Sequence, residues 1–111
     1  MNFHGMTIEQ RLAWDIETAE SLVRIATAKL EWTRREVESA RAAYEQVRLR
    51  IARIDAPVSF LQEVLQAAKT GHEAALAGQQ PAERDVELAT VRLRQLLHAQ
   101  QQLSAMVSEA G

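Results

Sequence analysis

The chain has 111 residues, a formal net charge of -2 and no cysteine, which excludes disulfides, thiolate metal sites and cysteine catalysis. The small net charge provides no bulk attraction to nucleic acid or to a membrane surface. With only four glycines, two prolines and 5% aromatic residues, the composition is typical of long helices and predicts an all-α fold in a single domain, residues 1–111.

The first predicted helix begins at Ile8 and ends near Ile54. Thr7, followed three residues later by Gln10, is a capping-box pattern that starts a helix. Pro57 ends the helix because proline disfavours helical geometry at the residue before it. Between these signals apolar residues recur in alternating steps of four and three, which is typical of a coiled-coil helix of about 48 residues. We call these positions the seam: Leu12, Ile16, Ala19, Val23, Ala26, Leu30, Thr33, Val37, Ala40, Tyr44, Val47, Ile51 and Ile54.

Two further helices are predicted, at about 57–77 and 82–109. Gly78 is expected to be the C-terminal cap of the second helix, and Pro81 the first residue of the third. Two arrangements fit these lengths: a long helical hairpin, with the second and third helices end to end along the first, and an antiparallel three-helix bundle. Short connections favour antiparallel neighbours, so the sequence favours the bundle.

The chain has two tryptophans, Trp14 and Trp32, and both are predicted to point the same way because 18 residues make five helical turns. On the helical wheel they lie opposite the seam. We call this surface the tryptophan face; its residues are Trp14, Leu22, Ile25, Ala28 and Trp32. Because aromatic anchors dominate association energies, the face is predicted to be a protein interface. The alternative is that the third helix, or an N-terminal arm with Phe3 and Met6, covers it within the chain.

Three arginines recur every seven residues beside the seam: Arg34, Arg41 and Arg48. Such a stripe can contact an anionic partner by neutralising phosphates. However, Arg34 with Glu38 and Arg41 with Glu45 are spaced as i,i+4 ion pairs, which favours a salt-bridged helix flank over nucleic-acid binding.

Sequence motifs for catalysis or metal binding are missing. The stretch "HEAAL" from His72 lacks the second histidine of a zinc-protease motif, because Leu76 stands at that position. His72 is therefore expected to be a neutral histidine packed in the apolar face of the second helix. Neither a phosphate-binding glycine loop nor paired Glu-x-x-His ligands for a di-iron site occur. The sequence predicts no enzymatic activity, no metal, no cofactor and no small-molecule substrate.

These patterns together predict a non-enzymatic protein-interaction module, a small adaptor, chaperone or inhibitor that forms a homodimer. The alternatives are a structural coiled-coil component of a larger secretion or virion assembly, and nucleic-acid binding through the arginines. A cytoplasmic location is expected because the sequence shows neither a signal peptide nor about 20 consecutive apolar residues. Eleven arginines against two lysines suggest a GC-rich bacterial or phage gene.

Overall fold

A computed structural model describes residues 5–110, with the side chains of residues 5–109. Two long helices account for nearly all of this range: α1 (Ile8–Ile51) and α2 (Val58–Ala110), joined by residues 52–57. No β-strand occurs among the described residues. The all-α prediction is confirmed, whereas the prediction of three helices is wrong, because residues 58–77 and 82–109 belong to one helix.

The start of α1 is fixed by the predicted capping box. The Gln10 backbone N–H donates to Thr7 Oγ1 at 3.1 Å, and the Thr7 N–H donates to Gln10 Oε1 at 3.0 Å. Two backbone N–H groups that a helix start leaves without partners are thereby satisfied.

The connection between the helices begins earlier than predicted, since α1 ends at Ile51 and not at Ile54. The N–H groups of Arg53 and Ile54 instead donate to carbonyls three residues back, at 2.9 and 3.4 Å, which closes a tight turn. Pro57 then precedes α2, and its carbonyl accepts the first helical bond from the Leu61 N–H at 3.1 Å. Proline is tolerated at this point because a helix start leaves its N–H position unbonded anyway.

The predicted break at Gly78–Pro81 is absent, and Pro81 lies inside α2. A glycine cap requires a left-handed backbone, but Gly78 lacks a positive φ, which among the described residues occurs at Gly5 alone (φ 87°). Pro81 removes one backbone donor and leaves the carbonyl of Ala77 without its helical partner. Both residues are exposed, so water can satisfy that carbonyl.

The contacts divide the chain into two units. The terminal unit combines the part of α1 up to Thr27 with the part of α2 from Arg84 onward. Its core contains Ile16, Ala19 and Leu96, with Leu12 and Leu93 packed against them.

The central unit, Ala28–Glu83, contains the end of α1, the connection and the start of α2. Leu30, Thr33 and Ala82 are buried in it, and the Thr33 hydroxyl donates to the Lys29 carbonyl at 2.8 Å, so this polar group is satisfied.

The predicted seam is the inner side of α1 in both units. Four seam residues are buried: Ile16, Ala19, Leu30 and Thr33. The seam residue Ile54, which lies beyond the end of the helix, is exposed, and all the remaining seam residues are half-buried. Coiled-coil geometry and the assignment of residues 1–111 to a single domain stay predictions.

Candidate protein interface

The tryptophan face is divided between the two units. Its residues in the terminal unit are Trp14, which is half-buried, and Leu22 and Ile25, which are exposed to 53% and 65%. Leu22 and Ile25 are therefore accessible to solvent, while Trp14 is accessible over only part of its surface.

The other two residues of the tryptophan face, Ala28 and Trp32, lie in the central unit, and both are exposed. Trp32 is 56% exposed, so the described residues leave more than half of this side chain uncovered. Of the predicted N-terminal arm, Met6 is half-buried and Phe3 lies outside the described residues. The role of the tryptophan face as an interface stays a prediction.

Exposed hydrophobic residues also occur where the sequence reasoning did not place an interface. In the terminal unit the largest exposed fractions outside the tryptophan face belong to Ile8, Leu88, Met106 and Val107, all above half. Three of these four residues are on α2. Their apolar character is visible in the sequence. Their exposure depends on which side of α2 contacts α1, and no pattern in the sequence indicates that side.

Two open grooves flank the helix pair at one end of the terminal unit. The first groove has a volume of 490 Å³ and contains Ile8, Leu12 and Asp15 from α1 and Ala99, Leu103 and Met106 from α2. The second, of 360 Å³, contains Glu9 and Leu12 from α1 and Leu103, Ser104, Val107 and Ser108 from α2. Leu12 and Leu103 border both grooves, so the grooves lie on opposite sides of this leucine pair.

The central unit has a groove of another kind, lined mostly by small side chains. It measures 510 Å³ and contains Ser39, Ala40 and Ala43 from α1 and Gly71, Ala74 and Ala75 from α2. Nearby, the rings of Tyr44 and His72 stack at 6.3 Å between centroids, with 17° between their planes. His72 is half-buried, and its ring packs against Tyr44 of α1. The prediction of a packed histidine is confirmed by this aromatic contact.

All three arginines of the stripe, Arg34, Arg41 and Arg48, are exposed in the central unit. The predicted i,i+4 ion pairs are wrong, because the observed pairs join residues three apart: Arg41 with Glu38, and Arg48 with Glu45 at 3.6 Å. From Arg41, Nε also donates to Glu38 Oε2 at 3.3 Å. Arg34 makes no ion pair within the described residues, since Glu38 turns toward Arg41.

The Arg41–Glu38 contact changes the acidity of both groups. The hydrogen bond from Arg41, helped by its positive charge, holds the pKa of the Glu38 carboxyl below its ordinary value. The same two effects raise the pKa of Arg41. Both side chains are well exposed, so this pair contributes little to the stability of the fold.

Neither a metal centre nor a membrane span is visible in the described part of the chain. No group of three histidine or acidic side chains lies close enough together to hold a metal ion in residues 5–110. Over the same range, neither helix has a segment that is both long and apolar enough to cross a bilayer.

No protein-family model, no curated protein and no solved structure matches this chain significantly.

Proposed function

We propose that this chain is a non-enzymatic protein-interaction module that self-associates, and that it acts as a cytoplasmic adaptor, chaperone or inhibitor by occupying the surface of another protein. A bacterial or phage origin and a homodimeric state belong to the same proposal.

The observation that carries the proposal is the excess of exposed over buried hydrophobic residues. Among the described residues five hydrophobic side chains are buried, and two of these are Ala19 and Ala82, which bury little area. Fourteen large hydrophobic side chains are exposed to 40% or more. Each leucine or isoleucine moved from water into an interface gains about 2 kcal/mol, so surfaces of this kind mark sites of protein association.

The experiment is solution mass by light scattering over a concentration series from low micromolar upward, in moderate salt. We expect a dimer or a small closed oligomer. A monomer throughout the series would contradict self-association and leave a different protein as the only partner for the exposed hydrophobic residues.

The tryptophan face is tested by Trp14→Ala and Trp32→Ala, with Phe60→Ala as the control. Phe60 is 54% exposed, close to the 56% of Trp32, but lies on α2 and so outside the predicted face. We expect both tryptophan variants to weaken assembly more than folding, and the control to change neither. A lowered melting temperature with unchanged oligomer mass would show that the tryptophans serve folding instead.

A structural role in a larger assembly is the second candidate, and helix length favours it. The two helices have 44 and 53 residues, against a mean of about 12 in globular proteins. Helices of this length can extend an assembly by repeated contacts. Open-ended polymers in the light-scattering series would support this role over the closed dimer.

The observed ion pairs argue against the third candidate, nucleic-acid binding. Arg41 and Arg48 each pair with a glutamate of the same helix, which lowers the positive potential available to phosphates. A gel shift with a random duplex at low salt tests this directly, and we expect no shift.

A further inference from the structure

The strongest unassigned feature is a one-sided distribution of exposed hydrophobic residues in the terminal unit. Ile8 and Met106 line the first groove directly, on α1 and α2 respectively. In a helix, residues seven apart lie on the same side. Asp15 and Gln102 also line the first groove. Leu22 follows Asp15 by seven residues, and Leu88 precedes Gln102 by fourteen, so both lie on the side of this groove.

Ile25 belongs to the same side, because it follows Arg11, another residue of the first groove, by fourteen residues. We call the resulting surface the first-groove face; its exposed hydrophobic residues are Ile8, Leu22, Ile25, Leu88 and Met106. Six large hydrophobic residues of the terminal unit are more than half exposed, and five of them lie on this face.

The opposite side of the terminal unit is built differently. The second groove is lined by Glu9, Gln100, Ser104 and Ser108, and Val107 is its one hydrophobic residue exposed by more than half. Polar residues line the first groove as well: Arg11, Asp15 and Gln102. The two sides differ in their exposed hydrophobic residues, because five of the six that are more than half exposed lie on the side of the first groove.

We propose that the first-groove face of the terminal unit binds the same face of a second copy of this chain. This inference rests on the proposed function and names the surface through which self-association occurs. Two helices of one copy would pack on two helices of the other, so that the exposed hydrophobic residues on the flanks of each pair become the centre of a four-helix arrangement.

The accessible area supports a second copy as the occupant. The chain exposes 8613 Å², whereas a folded monomer of 12.4 kDa exposes about 6,100 Å². The difference is roughly 2,500 Å² for the whole chain, of which the terminal unit holds a part, and a standard interface takes about 800 Å² from each partner. The exposed area therefore permits a dimer with an interface of standard size.

The charges of the face are also compatible with a copy of itself. A two-fold interface brings a patch against the identical patch, so any net charge would repel its own copy. The charged residues that line the first groove are Arg11 and Asp15, one of each sign. Pairing of two such faces therefore brings no excess of like charge together.

The test compares Leu88→Glu with Leu97→Glu in the full-length chain. Leu88 is 62% exposed on the first-groove face, whereas Leu97, 41% exposed, is seven residues before Ser104 and so lies on the side of the second groove. Glutamate is a good helix former, so both variants should keep α2. We expect Leu88→Glu to raise the dimer dissociation constant at least about tenfold, because it replaces an apolar contact with a carboxylate that must lose its hydrating water in the interface, and Leu97→Glu to leave it unchanged.

A second measurement does not depend on disrupting the dimer. The chain has no cysteine, so Leu88→Cys and Leu97→Cys each introduce a single thiol. Their reaction rates with a maleimide are compared at protein concentrations below and above the dissociation constant. We expect the thiol at position 88 to become several-fold less reactive in the dimer, and the thiol at position 97 to react at the same rate throughout.

The outcomes separate this inference from the proposed function. A dimer that survives Leu88→Glu and leaves the thiol at position 88 reactive would overturn the assignment of the face but keep self-association. Loss of the dimer in Leu97→Glu alone would assign the interface to the second groove instead. A wild-type monomer at every concentration would reject both proposals together.

Discussion

The continuity of α2 through Gly78 leads to a prediction with a definite sign. Inside a helix, Gly78→Ala should raise the free energy of unfolding by about 0.8–1 kcal/mol, because alanine restricts the unfolded chain and favours the helix. A Cβ at Gly78 would meet no atom within 4 Å, so no steric penalty opposes this gain. At a left-handed cap, as predicted from the sequence, the same change would instead cost about 1–2 kcal/mol.

Gly71→Ala is the matched control for this experiment. Gly71 also has open space around the position of a Cβ, and it lies inside a helix in both the predicted and the observed arrangement. Urea denaturation followed by circular dichroism, at one fixed protein concentration, measures both variants. Stabilisation by Gly71→Ala together with destabilisation by Gly78→Ala would refute the continuous helix and restore a break at this position.

Four further predictions concern the helix start, the core, one ion pair and assembly. Thr7→Ala should cost about 1 kcal/mol and increase amide exchange in the first turn of α1, since the bond from the Gln10 N–H to Thr7 Oγ1 is lost. Leu96→Ala should lower the free energy of unfolding by about 2–4 kcal/mol in urea denaturation, because it leaves a cavity in the core of the terminal unit. Arg41→Gln should raise the pKa of Glu38 toward its ordinary value in an NMR titration. In the wild type, the small contribution of this pair to stability is present at neutral pH and is lost as the pH falls through the lowered pKa of Glu38. Finally, the melting temperature should rise by about 3 °C for each tenfold increase in protein concentration if folding and dimerisation are coupled, and a constant melting temperature would contradict that coupling.

The sequence predicted the features that short-range geometry determines. The seam was found because a helix repeats every 3.6 residues, so apolar residues in steps of three and four must share a side. The capping box and Pro57 were equally local, since each acts through bonds and clashes within one turn. The predicted start at Ile8 accordingly agrees with the structure, and the predicted start at about residue 57 lies one residue before Val58, where α2 begins.

The break at Gly78–Pro81 was wrong because local helix signals are weak compared with packing. A glycine and a proline inside a helix cost about 1 and 3 kcal/mol. On the inner side of α2, however, Ala82 is 1% exposed directly after Pro81. One buried alanine cannot offset this cost alone. The contacts that α2 makes in both units, before and after residues 78–81, together can override the propensity of this short segment.

The candidate site was predictable only in part, for a geometric reason. The sequence shows which residues lie opposite the seam, and three of these, Leu22, Ile25 and Trp32, are more than half exposed. It does not show how α2 is rotated against α1, so the flanking residues Leu88 and Met106 were missed. Which flank remains open is a property of the helix pair and cannot be derived from either helix alone.

A pair of helices has a physical reason to seek further partners. Each helix buries one narrow stripe against the other, and in the terminal unit that stripe provides a core of Ile16, Ala19 and Leu96. Ordering each residue costs about 1–2 kcal/mol of backbone entropy, which a core this small offsets poorly. Burial of Leu22, Leu88 and their neighbours against a second copy would supply the missing apolar contacts. Association and stability then come from the same residues, so variants that weaken the dimer should also unfold more easily on dilution.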